Sequence, residues 1–160
     1  MTTHVRRATI DDADTLLRLV RRLAEAQDAA HEMTATTDDL RRDGFGSAPC
    51  FEALLAETDD GSPIGLALYY FTYSTWAGRA KLYVEDLFVD PAFRGCGLGR
   101  RLMTALARIA LDRGCVGLDL AVKGDNRARG FYERLGLVRK GSWQPYAVSN
   151  NALRILADQS

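Results

Sequence analysis

The sequence has few of the residues that build disulfide frameworks and metal sites. Its three cysteines, Cys50, Cys96 and Cys115, are scattered, odd in number and form no CxxC pair. This pattern argues against a disulfide scaffold and indicates free thiols in a reducing cytoplasm. The two histidines, His4 and His31, lie far apart without a cysteine cluster beside them. Because zinc sites draw their ligands from such clusters, we expect no bound metal.

The chain also lacks an excess of charge of either sign and any long hydrophobic run. Lysine and arginine together number 21, as do aspartate and glutamate, so the formal net charge is zero. No overall positive field is available to hold a nucleic acid, although a local basic cluster can bind a small phosphate ligand. The N-terminus contains no apolar signal segment, and no stretch approaches the length of a membrane span. We therefore expect a cytoplasmic protein that binds neither nucleic acid nor membrane.

What remains is the composition of a globular domain. The chain has 160 residues, of which 47% are hydrophobic and 26% are charged, and it shows no repeat or linker. This predicts a single domain, residues 1–160, with a substantial core. The order of elements is strand, helices, several antiparallel strands, helix, strand, helix, strand. That order predicts a mixed α/β fold in which helices flank one central, mostly antiparallel sheet.

Hydrophobic spacing and turn residues give the bounds of these elements. The predicted elements are a strand near 4–8, a helix capped by Thr9 or Asp11, a helix from Thr36 to Asp43 stopped by Gly44, antiparallel strands between 51 and 90, a helix after the glycine-rich segment that ends at Gly114, an alternating strand over 115–123, a short helix capped by Asp125 or Asn126 that ends at Gly136, and a last strand over 146–157.

The most informative segment is FRGCGLG, residues 93–99, in which three glycines alternate directly before a helix. A helix N-terminus carries unpaired N–H groups and a partial positive charge, so it favours anions. The glycines remove the Cβ atoms that would hold a phosphate away, and they permit backbone angles that aim several N–H groups at one point. Arg94, Arg100 and Arg101 add guanidinium groups at the rim. One glycine would suffice for a simple turn, so the segment predicts a phosphate-binding loop.

Two common phosphate-binding loops fail on spacing. A Walker A loop needs GxxxxGK[ST], which is absent. In the dinucleotide pattern GxGxxG, the last glycine falls on Arg100 when counted from Gly95 and on Leu102 when counted from Gly97. Binding of another nucleotide phosphate by this loop therefore remains a weaker alternative.

The segment RGCGLG instead fits the pattern [RQ]-x-x-G-x-[GA], with Arg94, Gly97 and Gly99 at the fixed positions. It resembles the acyl-CoA loop of the GNAT superfamily of N-acetyltransferases. The strand before it, the helix after it and the later GFYERLGL follow the family's order. Residues 66–99 look most like the diamine and spermidine/spermine N-acetyltransferase branch. The resemblance implies the GNAT fold, acetyl-CoA as co-substrate, a small-molecule amine acceptor and a homodimer.

By this resemblance, the loop holds the pyrophosphate and the pantetheine arm runs beside the preceding strand, whose N–H groups could also polarise the thioester. The family often places an asparagine seven residues before its tyrosine, whereas Asn126 lies six before Tyr132. Asp125 is therefore an open alternative to Asn126. The residues that the resemblance implies for acetyl-CoA binding are Leu87, Phe88, Val89, Arg94, Gly95, Cys96, Gly97, Leu98, Gly99, Arg100, Asn126 and Tyr132.

The resemblance assigns the catalytic steps to Tyr132 and Glu85. Tyr132 is protonated at neutral pH and would give its proton to the departing thiolate. An alkyl ammonium must lose a proton before it attacks, and Glu85 would accept it through water or anchor the cation. Regular strand geometry predicts that the neighbouring Asp86 points to the opposite face of the strand from Glu85.

The acceptor is less well defined by the sequence. The amine-binding branch carries acidic residues after its first helix, and here Asp28 is present but Gln27 replaces an expected acid. This favours a short diamine or a thialysine-like amino acid over spermine. Trp76 and Trp143 are candidates for cation–π contacts with the amine. The predicted acceptor-binding residues are Glu85, Asp86, Gln27, Asp28, Trp76 and Trp143.

Direct acetyl transfer to a small primary amine in a ternary complex is therefore the favoured function. A protein N-terminus or lysine is the alternative acceptor, and a non-catalytic acyl-CoA-binding module is the alternative function. A binding module would need neither Tyr132 nor Glu85, and this favours the enzyme.

Overall fold

In the computed structural model, the described residues are 2–124, 126–142 and 144–158. The chain divides into two compact units, Met1–Lys123 and Gly124–Ser160. Among the described residues, no helix combines the length and the apolar character needed to cross a membrane.

The first unit contains a five-stranded sheet whose strands lie side by side in chain order. The strands β1 to β4 pair antiparallel, and β5 pairs parallel with β4. The predicted mixed α/β fold with a mostly antiparallel sheet is confirmed. The strands are β1 (Thr3–Arg7), β2 (Glu52–Thr58), β3 (Pro63–Ser74), β4 (Arg79–Val89) and β5 (Leu118–Leu120).

Helices cover both faces of this sheet. Helices α1 (Ala13–Ala26) and α2 (Thr37–Phe45) follow β1, and α3 (Leu98–Asp112) follows β4. On one face, the leucines of α1 pack with Leu66, Leu68 and Phe88 in the main core cluster. Gly65 alternates with Leu66 and faces α3, since a Cβ there would lie 3.7 Å from Leu102 Cδ1. Both faces are therefore closed by apolar packing near the C-terminal end of β4.

The predicted cap Thr9 is confirmed at a short 3-10 turn, and Thr36, predicted as the first residue of the second helix, is its N-cap. Thr9 forms a capping box with Asp12 around a short 3-10 turn, Ile10–Asp12, which leads directly into α1. Thr36 accepts a hydrogen bond from the Asp39 N–H and caps α2. Gly44, however, does not stop α2, which continues to Phe45.

Gly44 has a steric role instead. A Cβ at this position would lie 2.5 Å from Cζ of Phe51, so the missing side chain makes room for that ring. The residue that ends the helix is Gly46, at the C-cap.

The predicted strand over 115–123 is shorter in the structure. Only Leu118–Leu120 form the ladder with β4, although the Val116 N–H also donates to the Ala80 carbonyl and the Gly117 carbonyl accepts from the Leu82 N–H. Val116 and Val122, at either end of the alternating pattern, are exposed, so the alternation extends beyond the regular ladder.

The second unit contains α4 (Arg129–Arg134) and α5 (Asn150–Ala157). Helix α4 begins later than predicted, although Asn126 Oδ1 accepts a hydrogen bond from the Ala128 N–H at 2.8 Å just before it. Asp125, the other predicted cap, lies outside the described residues. Gly136 follows the helix with φ of 90°, as expected of a helix C-terminus.

The predicted last strand is wrong, because its C-terminal part forms α5. Its apolar run also contains Leu153 and Leu156, which are three residues apart and suit a helix face. A run this short does not separate helix from strand by periodicity.

Candidate active site

The glycine-rich loop joins the end of β4 to the start of α3. Gly95 and Gly97 have φ of 82° and 83°, in the left-handed region that glycine adopts without strain. A Cβ on either residue would meet no heavy atom within 4 Å. The backbone conformation, and not crowding, is therefore what requires glycine at these two positions, and the space beside them is open.

Unpaired N–H groups collect at this end of α3. Gly97 is the N-cap, and the Arg101 N–H donates to the Gly97 carbonyl at 3.0 Å. The N–H groups of Leu98, Gly99 and Arg100 precede that bond and have no intrahelical acceptor. Because α3 has 15 residues, the partial positive charge of a full helix adds to these donors. The loop thus has the chemistry of an anion site.

A salt bridge fixes the start of the loop. Arg22 of α1 donates to Asp90 Oδ2 at 2.7 Å, and its guanidinium lies 5.3 Å from the centre of the Phe88 ring. The other oxygen of Asp90 accepts the Ala92 N–H at 3.0 Å. The Arg22 guanidinium lowers the pKa of Asp90. The Asp90 carboxylate therefore stays ionised, and the charge of Arg22 balances it. The two hydrogen bonds hold it in one orientation where β4 runs into the loop.

The arginines at the rim differ from the sequence-based expectation. Arg94 Nε donates to the Val89 carbonyl at 3.1 Å, which folds its side chain back towards β4. Arg101 donates to both the hydroxyl and the carbonyl of Thr3, so it ties α3 to β1. Arg100 is exposed. The three guanidinium groups therefore do not form one common rim.

Cys96 lies in the loop with its thiol 2.8 Å from the Phe93 carbonyl. It lines a cavity of about 470 Å³ together with Thr2, Thr3, Ala92, Phe93, Arg94 and Arg101.

Strand β4 changes its pairing at Glu85. Towards β3, Val84 pairs with Tyr69 and Asp86 with Leu68, so Glu85 is the extra residue of a β-bulge. Towards β5, the ladder covers only Leu82–Val84. Beyond Val84, no strand within the described residues pairs with this edge of β4. The main chain of 85–89, which includes the predicted contacts Leu87, Phe88 and Val89, therefore has an open edge that leads into the loop.

The bulge brings Glu85 and Asp86 to the same face of the sheet. Asp86 pairs with Leu68 and Tyr83 with Tyr70, and Leu68 and Tyr70 share one face of β3. Burial raises the pKa of Tyr70, with smaller contributions from the charge and side chain of Glu85, so Glu85 lies beside the Tyr70 hydroxyl. The prediction that the two carboxylates point to opposite faces is therefore wrong, because it assumed regular alternation.

These carboxylates have different environments. Glu85 is exposed and Asp86 is half-buried. Burial, with a smaller contribution from the charge of Glu85, raises the pKa of Asp86 to about 6. Burial and nearby negative charge also raise the pKa of Tyr83. The result is a face with aromatic side chains and negative potential, which suits a cation.

Tyr132 lies in α4 of the second unit. It is half-buried, and burial raises the pKa of its phenol. The ring packs against Phe131 with the two centroids 5.1 Å apart. The hydroxyl therefore remains protonated at neutral pH and retains a proton to donate.

The other described acceptor candidates lie outside strand β4. Gln27 and Asp28 lie exposed at the C-terminal end of α1. Trp76 lies in the turn between β3 and β4 and is 90% exposed, well beyond the bulge along the hairpin. Trp143 lies outside the described residues.

The sequence-based prediction missed Tyr70 and Tyr83, whose rings lie 5.2 Å apart beside Glu85. The sequence did contain a signal for Tyr83, because it lies two residues before Glu85 in β4 and alternate residues of a strand share a face. The position of Tyr70 required the β3–β4 register. In the described ranges, no group of three or more His, Cys, Asp or Glu side chains is placed to hold a metal ion.

Comparisons with known proteins agree on one family. The sequence model of the acetyltransferase (GNAT) family matches residues 14–137. Thialysine N-epsilon-acetyltransferase of Bos taurus is 39% identical over 96% of both chains. The human spermidine/spermine N(1)-acetyltransferase-like protein 1 is 38% identical over 69% of this chain and 17% of its own length. Among solved structures, an integron cassette protein from V. cholerae superposes with a TM-score of 0.78 at 25% identity, over 99% of both chains.

The raised pKa of Asp86 predicts a pH-dependent loss of stability. The folded protein holds this proton more tightly than the unfolded chain, whose carboxyl has a pKa near 3.8. The contribution of Asp86 to the free energy of unfolding should therefore fall as pH rises from about 4 to about 6, by at most about 3 kcal/mol. Asp86→Asn should remove this decline, as measured by urea denaturation across that range. Asp59→Asn, in an exposed turn, is the control, and a wild-type decline that Asp86→Asn leaves intact would contradict the assignment.

Proposed function

The chain belongs to the GNAT family of acetyltransferases, and from that premise we propose that it transfers the acetyl group of acetyl-CoA to a short diamine or a thialysine-like amino acid. The observation that carries this proposal is the continuity of an open β4 edge, residues 85–89, with a donor-rich glycine loop. An extended arm that ends in a diphosphate matches that combination, since the edge offers main-chain partners and the loop offers N–H groups to an anion.

In this proposal, the loop binds the pyrophosphate through main-chain N–H groups. Gly95, Gly97 and the first turn of α3 provide these donors, and the open space beside the glycines lets the oxygens approach. The pantetheine arm lies along Leu87–Val89 as an added strand.

Side chains complete the proposed acetyl-CoA site. The exposed Arg100 is the rim cation for the phosphates, whereas Arg94 acts mainly by holding the end of β4. Asn126, whose side chain accepts the Ala128 N–H, is the second unit's candidate for a pantetheine contact.

The bulge at Glu85 supports the assignment of the acetyl site. A bulge leaves main-chain groups out of the regular ladder and re-aims them. Such an N–H can polarise the thioester carbonyl and stabilise the oxyanion that forms when the amine attacks. The new bond joins the amine nitrogen to the acetyl carbon, and the bond that breaks is the carbon–sulfur bond of the thioester.

Glu85 and Tyr132 handle the two protons. Glu85, whose side chain is exposed, accepts the proton of the acceptor ammonium through water. Tyr132 gives its phenolic proton to the leaving thiolate of CoA, and the second proton that the nitrogen loses as the amide forms restores the phenol through water. The raised pKa of Tyr132 supports the role, because the phenol is protonated at neutral pH. Asp86 adds negative potential beside the amine.

The acceptor follows from the negative face and from the relatives. Glu85, Asp86 and two tyrosines favour a small ammonium over a bulky polar group. The Bos taurus relative acts on thialysine, as its name states, and the human relative is named after spermidine and spermine. Gln27 in place of an acid favours the shorter acceptors. A protein N-terminus or lysine is the second candidate.

We also propose that the two units act as one functional domain and that the protein forms a homodimer in the cytoplasm. The family match over 14–137 crosses the boundary between the units. Leu153, Ile155 and Leu156 of α5 are all exposed, which leaves apolar surface for a second copy to cover. Sedimentation equilibrium measures the assembly state directly.

Gly97→Ala should weaken acetyl-CoA binding by about 10- to 100-fold, since a Cβ disturbs charge-assisted hydrogen bonds to the diphosphate. Isothermal titration calorimetry measures the change in Kd. Gly78→Ala is the matched control, because Gly78 also has positive φ and open space around it but lies in the β3–β4 turn. Both variants should lose similar stability, about 1 kcal/mol or more. Equal effects on Kd would refute the proposed loop function.

A turnover screen tests the acceptor. We expect free CoA to be released with diamines and thialysine in preference to spermine and peptides, with the acetylated product identified by mass spectrometry. Binding of acetyl-CoA without turnover on any amine would favour the non-catalytic module. Preferential acetylation of peptides would favour the protein acceptor.

Tyr132→Phe should lower kcat by about 10²–10⁴-fold while acetyl-CoA affinity stays close to that of the wild type, because the ring remains and only the proton donor is lost. Tyr146→Phe is the control, since Tyr146 is 94% exposed. Steady-state kinetics and calorimetry on the same preparations separate turnover from binding. An unchanged kcat in Tyr132→Phe would remove this residue from the mechanism.

A further inference from the structure

The face that carries Glu85 continues along the hairpin to an ion pair that the proposed chemistry does not use. Lys81 pairs with Thr72, and Tyr83 pairs with both Tyr70 and Asp119. Lys81 Nζ lies 3.2 Å from Asp119 Oδ2. Both side chains therefore project from the same face as Tyr83, next to the carboxylates at the bulge.

This ion pair is accessible to a ligand. The side chains of Lys81 and Asp119 keep 27% and 29% of their surface exposed. Helix α1 packs on Leu66, Leu68 and Phe88, at the other end of this face. The pair thus lies on the part of the hairpin that extends beyond the packing cluster of α1, with Tyr83 between it and the bulge.

The spacing suits a short acceptor. Lys81 lies four residues before Glu85, so their Cα atoms are about 13 Å apart at a strand rise of about 3.3 Å per residue. A lysine-like side chain spans about half of that distance, and the flexible Lys81 side chain can cover much of the remainder. An amine held at Glu85 can therefore place its far end at the ion pair.

The two charges match the head group of an α-amino acid. The α-carboxylate of the ligand can bind the Lys81 ammonium, and its α-ammonium can bind the Asp119 carboxylate. The two charges of the ligand then lie beside protein charges of opposite sign. The distal end of a diamine carries only an ammonium. It can use Asp119, but Lys81 repels it.

We propose, on the basis of the proposed function, that Lys81 and Asp119 form the subsite for the α-amino-carboxylate group of the acceptor, and that Lys81 selects an α-amino acid whose side chain ends in an amine over the diamine of the same length. Among the cations on this face of β4, Lys81 is nearer to Glu85 than Arg79, which lies two residues further towards the turn. Lys81 is thus the cation in place to distinguish the two acceptors.

A comparison of matched substrates tests this subsite. Thialysine and the diamine obtained by removing its carboxylate differ only in the group that Lys81 is proposed to bind. The wild type should prefer thialysine. Lys81→Met keeps the apolar stem and should lower kcat/KM for thialysine by about 10- to 100-fold, mainly through KM. The same variant should raise kcat/KM for the diamine, because the repulsion is removed.

Two further variants complete the test. Lys81→Arg keeps the charge and should retain the preference for thialysine. Asp119→Asn should lower kcat/KM for both substrates, since both carry a distal ammonium. A purely structural role of the ion pair in holding β5 to β4 would lower both substrates equally in Lys81→Met, and that result would overturn the subsite.

The failure of the subsite and the failure of the proposed function give different results. If the wild type acetylates both substrates but Lys81→Met leaves their ratio unchanged, only the subsite is refuted. If the wild type acetylates neither substrate while it binds acetyl-CoA, the proposed function fails, and the subsite fails with it.

Discussion

Within the part of the chain that the structure describes, strand β4 has a strand partner on its β5 side only as far as Val84, and the candidate site depends on this early end of the ladder. Main-chain donors and acceptors that no strand satisfies are a liability on an ordinary sheet edge. Here the open edge runs directly into the glycine loop, so one continuous segment provides main-chain partners and then a cluster of N–H groups. Because the chain is continuous, the separation between these two binding regions is fixed by the geometry of a few residues.

The bulge at Glu85 is the second constraint, and it acts on side chains. In a regular strand, Glu85 and Asp86 would face opposite sides of the sheet. The extra residue places both carboxylates with Tyr70 and Tyr83 on the face beyond α1. This arrangement has a cost, because partial burial near a second carboxylate raises the pKa of Asp86. A local cost in stability with no structural benefit is typical of residues kept for function.

The parts of the fold that the sequence predicts are those in which a local pattern has one physical solution. Alternating glycines before a helix predicted unusual backbone angles, and Gly95 and Gly97 have positive φ, whereas Gly99 lies in the first turn of α3. The apolar face of α1 and the antiparallel strands also followed from spacing. The bulge could not be predicted, because YVEDLFV has the alternation of a regular strand and the extra residue depends on the β3 register. The short apolar run that forms α5 fitted either period, and the stop assigned to Gly44 overlooked the contact with Phe51, which is distant from any local signal.

The distribution of charge explains how a chain of zero net charge can bind an anionic co-substrate and a cationic acceptor. The start of α3 is positive because of its unpaired N–H groups, and the bulge face is negative because of Glu85 and Asp86. Asp90 lies between them at the entrance of the loop, where a free carboxylate would repel a diphosphate. The bond from Arg22 at 2.7 Å removes that repulsion, while the second oxygen of Asp90 still orders the turn through Ala92. Arg22 therefore keeps the two regions of opposite potential separate along a single strand, although the resemblance did not point to it and it lies far from the loop in sequence.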